Sequence, residues 1–261
     1  MSNNKNPIGI FDSGVGGLTV LNAIHKLMPT ENLIYVADSQ FTPYGEKSEK
    51  QIETRVLTIA GHLNKQNVKA IVVACNTATA AAVNTLRERF PILPIIGLEP
   101  ALKPAAENTQ NGRVGVIATR ATLDSQKYQD LKNKVAENIE LTEKASPLFV
   151  NLVENAHKIT NPELTLIKTE LAIFKQANVD SLVLGCTHYP FLTTAISTIM
   201  GSDVTLYESG LPVAQELHRR LSGKRNSSTK KGKIKYFSSA PQKSQDAFEL
   251  ILKRKVEIQL L

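Results

Sequence analysis

Short apolar runs alternate with amphipathic segments along nearly the whole chain, and this alternation constrains the fold more than any other feature. The runs Ile8–Phe11, Leu33–Ala37, Ala70–Ala74, Ile95–Gly97, Val114–Ala118, Ser181–Gly185 and Val204–Tyr207 are strand candidates. Several are apolar throughout, as strands buried on both faces of a parallel sheet are. Between them, Ile52, Val56, Ile59 and Leu63 follow one helical face, and Leu164, Ile167, Leu171 and Phe174 follow another. Pro162 fits the first turn of a helix capped by Asn161. Alternating strands and helices predict an α/β fold with mainly parallel sheets.

The sequence also echoes itself. Ala70-Ile-Val-Val-Ala-Cys75-Asn-Thr matches Ser181-Leu-Val-Leu-Gly-Cys186-Thr-His, and Ile8-Gly-Ile-Phe-Asp12-Ser13 matches Val114-Gly-Val-Ile-Ala-Thr119. Asp12 precedes Cys75 by 63 residues, and Thr119 precedes Cys186 by 67. Two related α/β halves are expected, each placing a cysteine at the carboxyl end of a strand, where open α/β sheets bind their ligands.

Composition narrows the function classes. The 261 residues suffice for one large or two small cores. No apolar run approaches the roughly 18–20 residues needed to span a bilayer. The N-terminal segment Met1–Pro7 is polar and precedes too brief an apolar run for a signal peptide. A cytoplasmic protein without a membrane partner is expected. With two cysteines, no Cys-x-x-Cys and five scattered histidines, neither a disulfide framework nor a metal site is expected. The net charge of +7 raises the question of nucleic acid. Lys224, Arg225, Lys230, Lys231 and Lys233, however, share one Ser/Asn/Gly-containing stretch that reads as a solvated loop. No nucleic-acid motif accompanies it, and no nucleic-acid partner is expected.

Free cysteines usually serve as small buried apolar side chains, but the matched context of Cys75 and Cys186 favours chemistry. At a strand-to-helix junction, backbone N–H groups and the helix dipole lower a thiol's pKa from about 8.5. Asp12-Ser13-Gly14-Val15-Gly16-Gly17 fails the dinucleotide fingerprint, because Thr19 stands where the third glycine belongs. It reads instead as a tight turn exposing N–H groups, with Asp12 and Ser13 in the same crevice. Asp12 as a helix cap only is the plainer alternative. Pro43-Tyr44-Gly45 is a turn signature. Asn76, Thr77, Thr187 and His188 offer hydrogen-bond donors beside the thiols, and His188 is placed to tune Cys186.

Together, Asp12-Ser13-Gly-x-Gly-Gly, Pro43-Tyr44-Gly45, Ala74-Cys75-Asn76-Thr77-Ala78 and Gly185-Cys186-Thr187-His188-Tyr189-Pro190 resemble the bacterial glutamate racemases of the aspartate/glutamate racemase family. The resemblance implies a cofactor-independent racemase interconverting L- and D-glutamate for peptidoglycan synthesis, often as a homodimer. It implies two pseudo-symmetric α/β domains with the active site in the cleft between them: residues 1–97 with 209–261, and residues 98–208. Cys75 and Cys186 are then the catalytic acid and base. Asp12, Ser13, Tyr44, Gly45, Asn76, Thr77, Thr187 and His188 bind substrate, with Thr119 and Thr122 as further contacts. The family usually has a cysteine where this chain has Ser146. Members activated by a cell-wall precursor carry an extended N-terminus, and this chain begins almost at its first strand, so that activation is not expected. Aspartate racemase, or a related two-cysteine enzyme, is the near alternative, and a basic nucleic-acid-binding protein the distant one.

Overall fold

The structure, a computed structural model, describes residues 5–135 and 139–261; the first four residues of the polar segment Met1–Pro7 lie outside the described residues. The chain runs through β1 (Ile8–Asp12), α1 (Leu18–Leu27), β2 (Leu33–Ala37), α2 (Glu49–Lys65), β3 (Ala70–Val73), α3 (Asn76–Arg89) and β4 (Ile95–Ile96). There follow α4 (Leu102–Asn108), β5 (Arg113–Ala118), α5 (Arg120–Leu123), α6 (Gln126–Val135), β6 (Glu140–Ala145), α7 (Pro147–Glu154), α8 (Asn161–Gln176), β7 (Ser181–Gly185), α9 (Thr193–Met200) and β8 (Thr205–Tyr207). The last elements are α10 (Gly210–Arg220), β9 (Ile234–Ser238), α11 (Pro241–Leu252) and β10 (Ile258–Leu260).

Among the described residues ten strands form two sheets with orders β10-β9-β2-β1-β3-β4 and β6-β5-β7-β8. All the pairings are parallel. The order 2-1-3-4 of the first half recurs as 6-5-7-8 in the second, which is the pseudo-symmetry of the fold. Its register agrees with the sequence echo: Asp12 pairs with Ala37 in one half, and Ala118 with Ala145 in the other. β1, β2, β3 and β7 are buried along their whole length, as helices on both faces require. One apolar cluster takes in Ile10, Leu18 and Tyr35 from the first half and Phe149, Phe174 and Leu182 from the second.

All seven expected strands are present, within one residue at each end. Sequence patterning did not reveal β6, β9 and β10. β6 reads Glu-Leu-Thr-Glu-Lys-Ala on a half-exposed sheet edge, and β10 is mostly exposed on the other. The buried face of α2 holds Ile52, Val56, Ile59 and Leu63 as expected. On α8, Ile167, Leu171 and Phe174 are buried while Leu164 is partly covered. The cap of α8 is Thr160, not Asn161: the Glu163 carboxylate accepts the Thr160 backbone N–H at 3.0 Å and also its hydroxyl. That closes a capping box, which Asn161, already inside the helix, cannot make. Among the described residues no helix is long and apolar enough to cross a membrane.

The basic stretch near residue 224 is anchored by a buried ion pair. Lys69 Nζ and Glu31 Oε2 lie 2.5 Å apart, with both side chains almost fully buried. The other Glu31 oxygen accepts the Asn226 N–H at 2.9 Å, and Lys69 also donates to the Lys224 carbonyl at 3.3 Å. Removing one partner leaves an uncompensated buried charge. Lys69→Met is therefore expected to destabilise the fold by about 3–5 kcal/mol, read as a lower midpoint in urea unfolding.

Candidate active site

The carboxyl ends of both sheets deliver their following residues to one crevice. Asp12 ends β1 and Ser13 follows it, Cys75 follows β3, Thr119 follows β5, and Cys186 follows β7. Ser13, Tyr44, Cys75, Asn76, Thr77, Thr119, Thr122, Cys186, Thr187 and His188 line a single cavity with Pro43, Val150 and Gly185. Its volume is about 20 Å³, room for a single water molecule. Two expected residues do not line it. Asp12 is fully buried behind the β1–α1 turn. Gly45 lies against Thr119, where a Cβ would stand 3.1 Å from the threonine Cβ.

Asp12 organises the glycine turn. Its Oδ2 accepts the N–H groups of Gly14 at 3.3 Å and Gly17 at 3.0 Å, and the Thr187 hydroxyl donates to Oδ1 at 3.5 Å. The Val15 N–H donates to Glu154 Oε1 at 2.7 Å. These three turn N–H groups are thus occupied within the protein, contrary to the expectation that the turn exposes donors for a ligand. The turn also passes very close to the second half. A Cβ on Gly16 would lie 2.4 Å from His188 Nδ1 and 2.6 Å from the Thr187 hydroxyl, so only glycine fits.

Cys75 caps α3, its Sγ accepting the Ala78 N–H at 3.5 Å and lying 3.9 Å from the Ser13 hydroxyl. The expectation of a lowered pKa fails here. Burial, and then the neighbouring Asp12, push the Cys75 thiol well up; the helix N-terminus opposes them but does not win. Cys186 has a different setting. A tight turn and the one-turn 3-10 helix Tyr189–Leu192 follow it, and His188 Nδ1 stands 3.5 Å from its Sγ. His188 Nε2 in turn lies 2.6 Å from Glu154 Oε1. Burial opposes charge on His188, but Cys186 and Glu154 together hold its pKa well above the usual imidazole range. An imidazolium with a donor toward each neighbour satisfies this geometry. For Asp12, burial dominates and raises the carboxyl, while His188 pulls the other way.

The remaining lining is polar. The hydroxyls of Thr77, Thr119 and Thr122 form a ring at 2.9, 3.2 and 2.8 Å that ties α3 to α5 across the cleft. Both amide atoms of Asn76 are buried without a partner, a donor and an acceptor unoccupied at the cavity wall. The Tyr44 hydroxyl donates to Asp38 at 2.6 Å, and Arg55 grips the same carboxylate at 2.8 and 2.9 Å. Tyr44 therefore presents its ring to the cavity and directs its donor to Asp38. Sequence reading missed Glu154, Asp38 and Arg55. Asp38-Ser39 after β2 repeats the Asp12-Ser13 pattern after β1 and was findable on that ground; Glu154, the last residue of an apolar helix, carried no local signal. Among the described residues no group of three or more His, Cys, Asp or Glu side chains forms a candidate metal site.

Two pseudo-symmetric halves of parallel α/β structure, with a polar cavity closed between their carboxyl edges, define the class of this protein. The chain belongs to the Asp/Glu/Hydantoin racemase family, whose model matches residues 12–216. It is 47% identical over 221 residues to the glutamate racemase of Methylococcus capsulatus, covering 85% of this chain and 81% of that one. It is 41% identical over 260 residues to the glutamate racemase of Ectopseudomonas mendocina, covering 99% of each. The crystal structure of Escherichia coli glutamate racemase, in complex with L-glutamate and an activator, superposes with a TM-score of 0.87 at 31% identity over 98% of each chain.

Two outcomes test the site's geometry. Gly16→Ala is expected to separate the β1–α1 turn from His188 and cost activity at least about tenfold, because misplacement of about 1 Å in an active site can cost a hundredfold; a racemisation assay on folded protein reads it. Iodoacetamide labelling of Cys75 is expected to keep rising with pH well beyond the ordinary thiol range, because burial and Asp12 raise its pKa. Asp12→Asn removes a neighbouring negative charge and should move that rise to lower pH, as mass spectrometry of the adduct will show.

Proposed function

We propose that this protein is a glutamate racemase that moves the Cα proton between Cys75 and Cys186 without a cofactor, supplying D-glutamate for peptidoglycan. The observation that carries the reading is the pair of thiols, one from each half, lining a single closed polar cavity. The relatives' names favour glutamate over aspartate, and the Escherichia coli structure holds L-glutamate.

Racemisation removes the Cα proton from one face and returns a proton to the other. Two bases on opposite faces do so without turning the substrate over, and a pseudo-two-fold site supplies them. One cysteine acts as thiolate while the other is a thiol, and the roles exchange with the handedness of the substrate. The Cα–H is a weak acid, so donors must meet the charge that develops on the carboxylate, in a site that excludes water. The orphaned Asn76 amide and the hydroxyls of Ser13, Thr77, Thr119, Thr122 and Thr187 serve that purpose. The amide and the three-threonine ring exchange their present state for the substrate's carboxylates. His188, held by Glu154, keeps a positive charge at the second thiol's side of the cavity; Asp12 beside Cys75 favours the thiol. A cavity of about 20 Å³ is too small for an amino-dicarboxylic acid, so the halves part to admit substrate.

The reading includes a division of the chain into residues 1–97 with 209–261 and residues 98–208, supported by the membership of the two sheets. A cytoplasmic homodimer is part of the same reading, on the strength of the family resemblance.

In deuterated water the first turnover is expected to give product carrying deuterium at Cα, with recovered substrate largely unlabelled, in both directions. NMR at low conversion measures this; substantial carriage of the original proton into product would exclude the two-base reading. Replacing either cysteine by Ser is expected to lower racemisation by about 10²–10⁴-fold, while slow exchange of one enantiomer persists.

A further inference from the structure

Because every pairing in the first sheet is parallel, the loops entering its six strands share one edge. The candidate active site occupies the opposite edge. Those entering loops are residues 5–7, 28–32, 66–69, 90–94, 221–233 and 253–257. They carry ten lysine and arginine side chains against two carboxylates, which exceeds the net charge of +7 for the whole chain. One carboxylate, Glu31, is buried against Lys69. The other cations, from Lys5 through Lys224, Lys230 and Lys231 to Arg254 and Lys255, are exposed. Lys26 and Lys65, in the last turns of α1 and α2, add to the same edge. Loops from different strands converge here: after burial, the charges of Lys231 and Arg254 both hold the His25 imidazole below its usual range.

Two features indicate which polyanion fits. Ile92, in the loop entering β4, is 92% exposed, an apolar tip at the far end of the same edge from the most basic loops. The only aromatic in these loops, Phe90, packs on the first-half core and offers no stacking platform for bases. The edge also holds a cavity of about 300 Å³ lined by Leu27, Met28, Pro29, Arg225, Asn226 and the Lys69-paired Glu31. Lysine-rich surfaces with apolar tips are the pattern that anionic bilayers attract.

We propose that this edge docks the protein on an anionic phospholipid surface, with the substrate cavity turned away from the bilayer. The full chain is to be sedimented with vesicles of phosphatidylcholine and with vesicles of equal phosphatidylcholine and phosphatidylglycerol, at physiological ionic strength. Binding is expected to the anionic vesicles alone, weakening as salt rises. The triple variant Lys230→Gln, Lys231→Gln, Lys233→Gln should lose about a hundredfold in partition, at about fivefold per cation, with unchanged racemisation. Ile92→Ser should weaken partition several-fold and leave the salt dependence as it was. Equal binding to neutral vesicles, no binding to either, or unchanged partition of the triple variant would overturn the proposal. So would tighter binding to a DNA duplex than to the anionic vesicles, which would assign the edge to nucleic acid.

Discussion

Parallel pairing is the constraint on which the rest of this structure depends. It sends all the strands of a sheet out at the same edge, so residues far apart in sequence arrive together without any long loop reaching for them. Cys75 and Ser13 meet because β3 and β1 are neighbours in register. The repeated order then places a second such edge opposite the first. A cavity closed on both sides follows from topology, and the side chains decide only what chemistry it holds.

The two halves are related but not equivalent in charge. Register pairs Asp12 with Ala118, Ser13 with Thr119 and Asp38 with Ser146, while the cysteine motifs pair Asn76 with Thr187 and Thr77 with His188. A carboxylate stands beside Cys75 and an imidazole held by Glu154 beside Cys186. The backbone supplies two thiols in matched positions, and the residues around them give the two a different electrostatic setting. Glu154 links the asymmetry to the fold, since the same oxygen that holds His188 also accepts the Val15 N–H across the cleft.

What was legible in the sequence was what burial on both faces writes there. Core strands read as unbroken apolar runs, and both cysteines were found because each ends such a run. Strands at the sheet edges carry mixed residues such as Glu140, Lys144 and Gln259 and give no such signal. The cavity residues from the echoed motifs were visible together. Glu154 was not, because its role comes from a hydrogen bond to a residue 139 positions earlier, which no local pattern encodes. Of Asp12 and Ser13 only Ser13 lines the cavity, and the Asp12 carboxylate consumes donors that the turn was expected to offer.

The first sheet takes strands from both ends of the chain: β9, from residues 234–238, covers the edge of β2. During synthesis, the fully buried strand Leu33–Ala37 therefore waits with one side unpaired until residues 234–238 have emerged, some 200 positions later. Residues of the second half have by then been available to fold for some time. A waiting apolar edge is a template for pairing with another chain, so the nascent protein stays exposed to misassembly throughout the synthesis of the second half. Once β9 and β10 are in place, Lys253, Arg254 and Lys255 stand in the loop that enters the outermost strand, and charge of that kind discourages further strand addition.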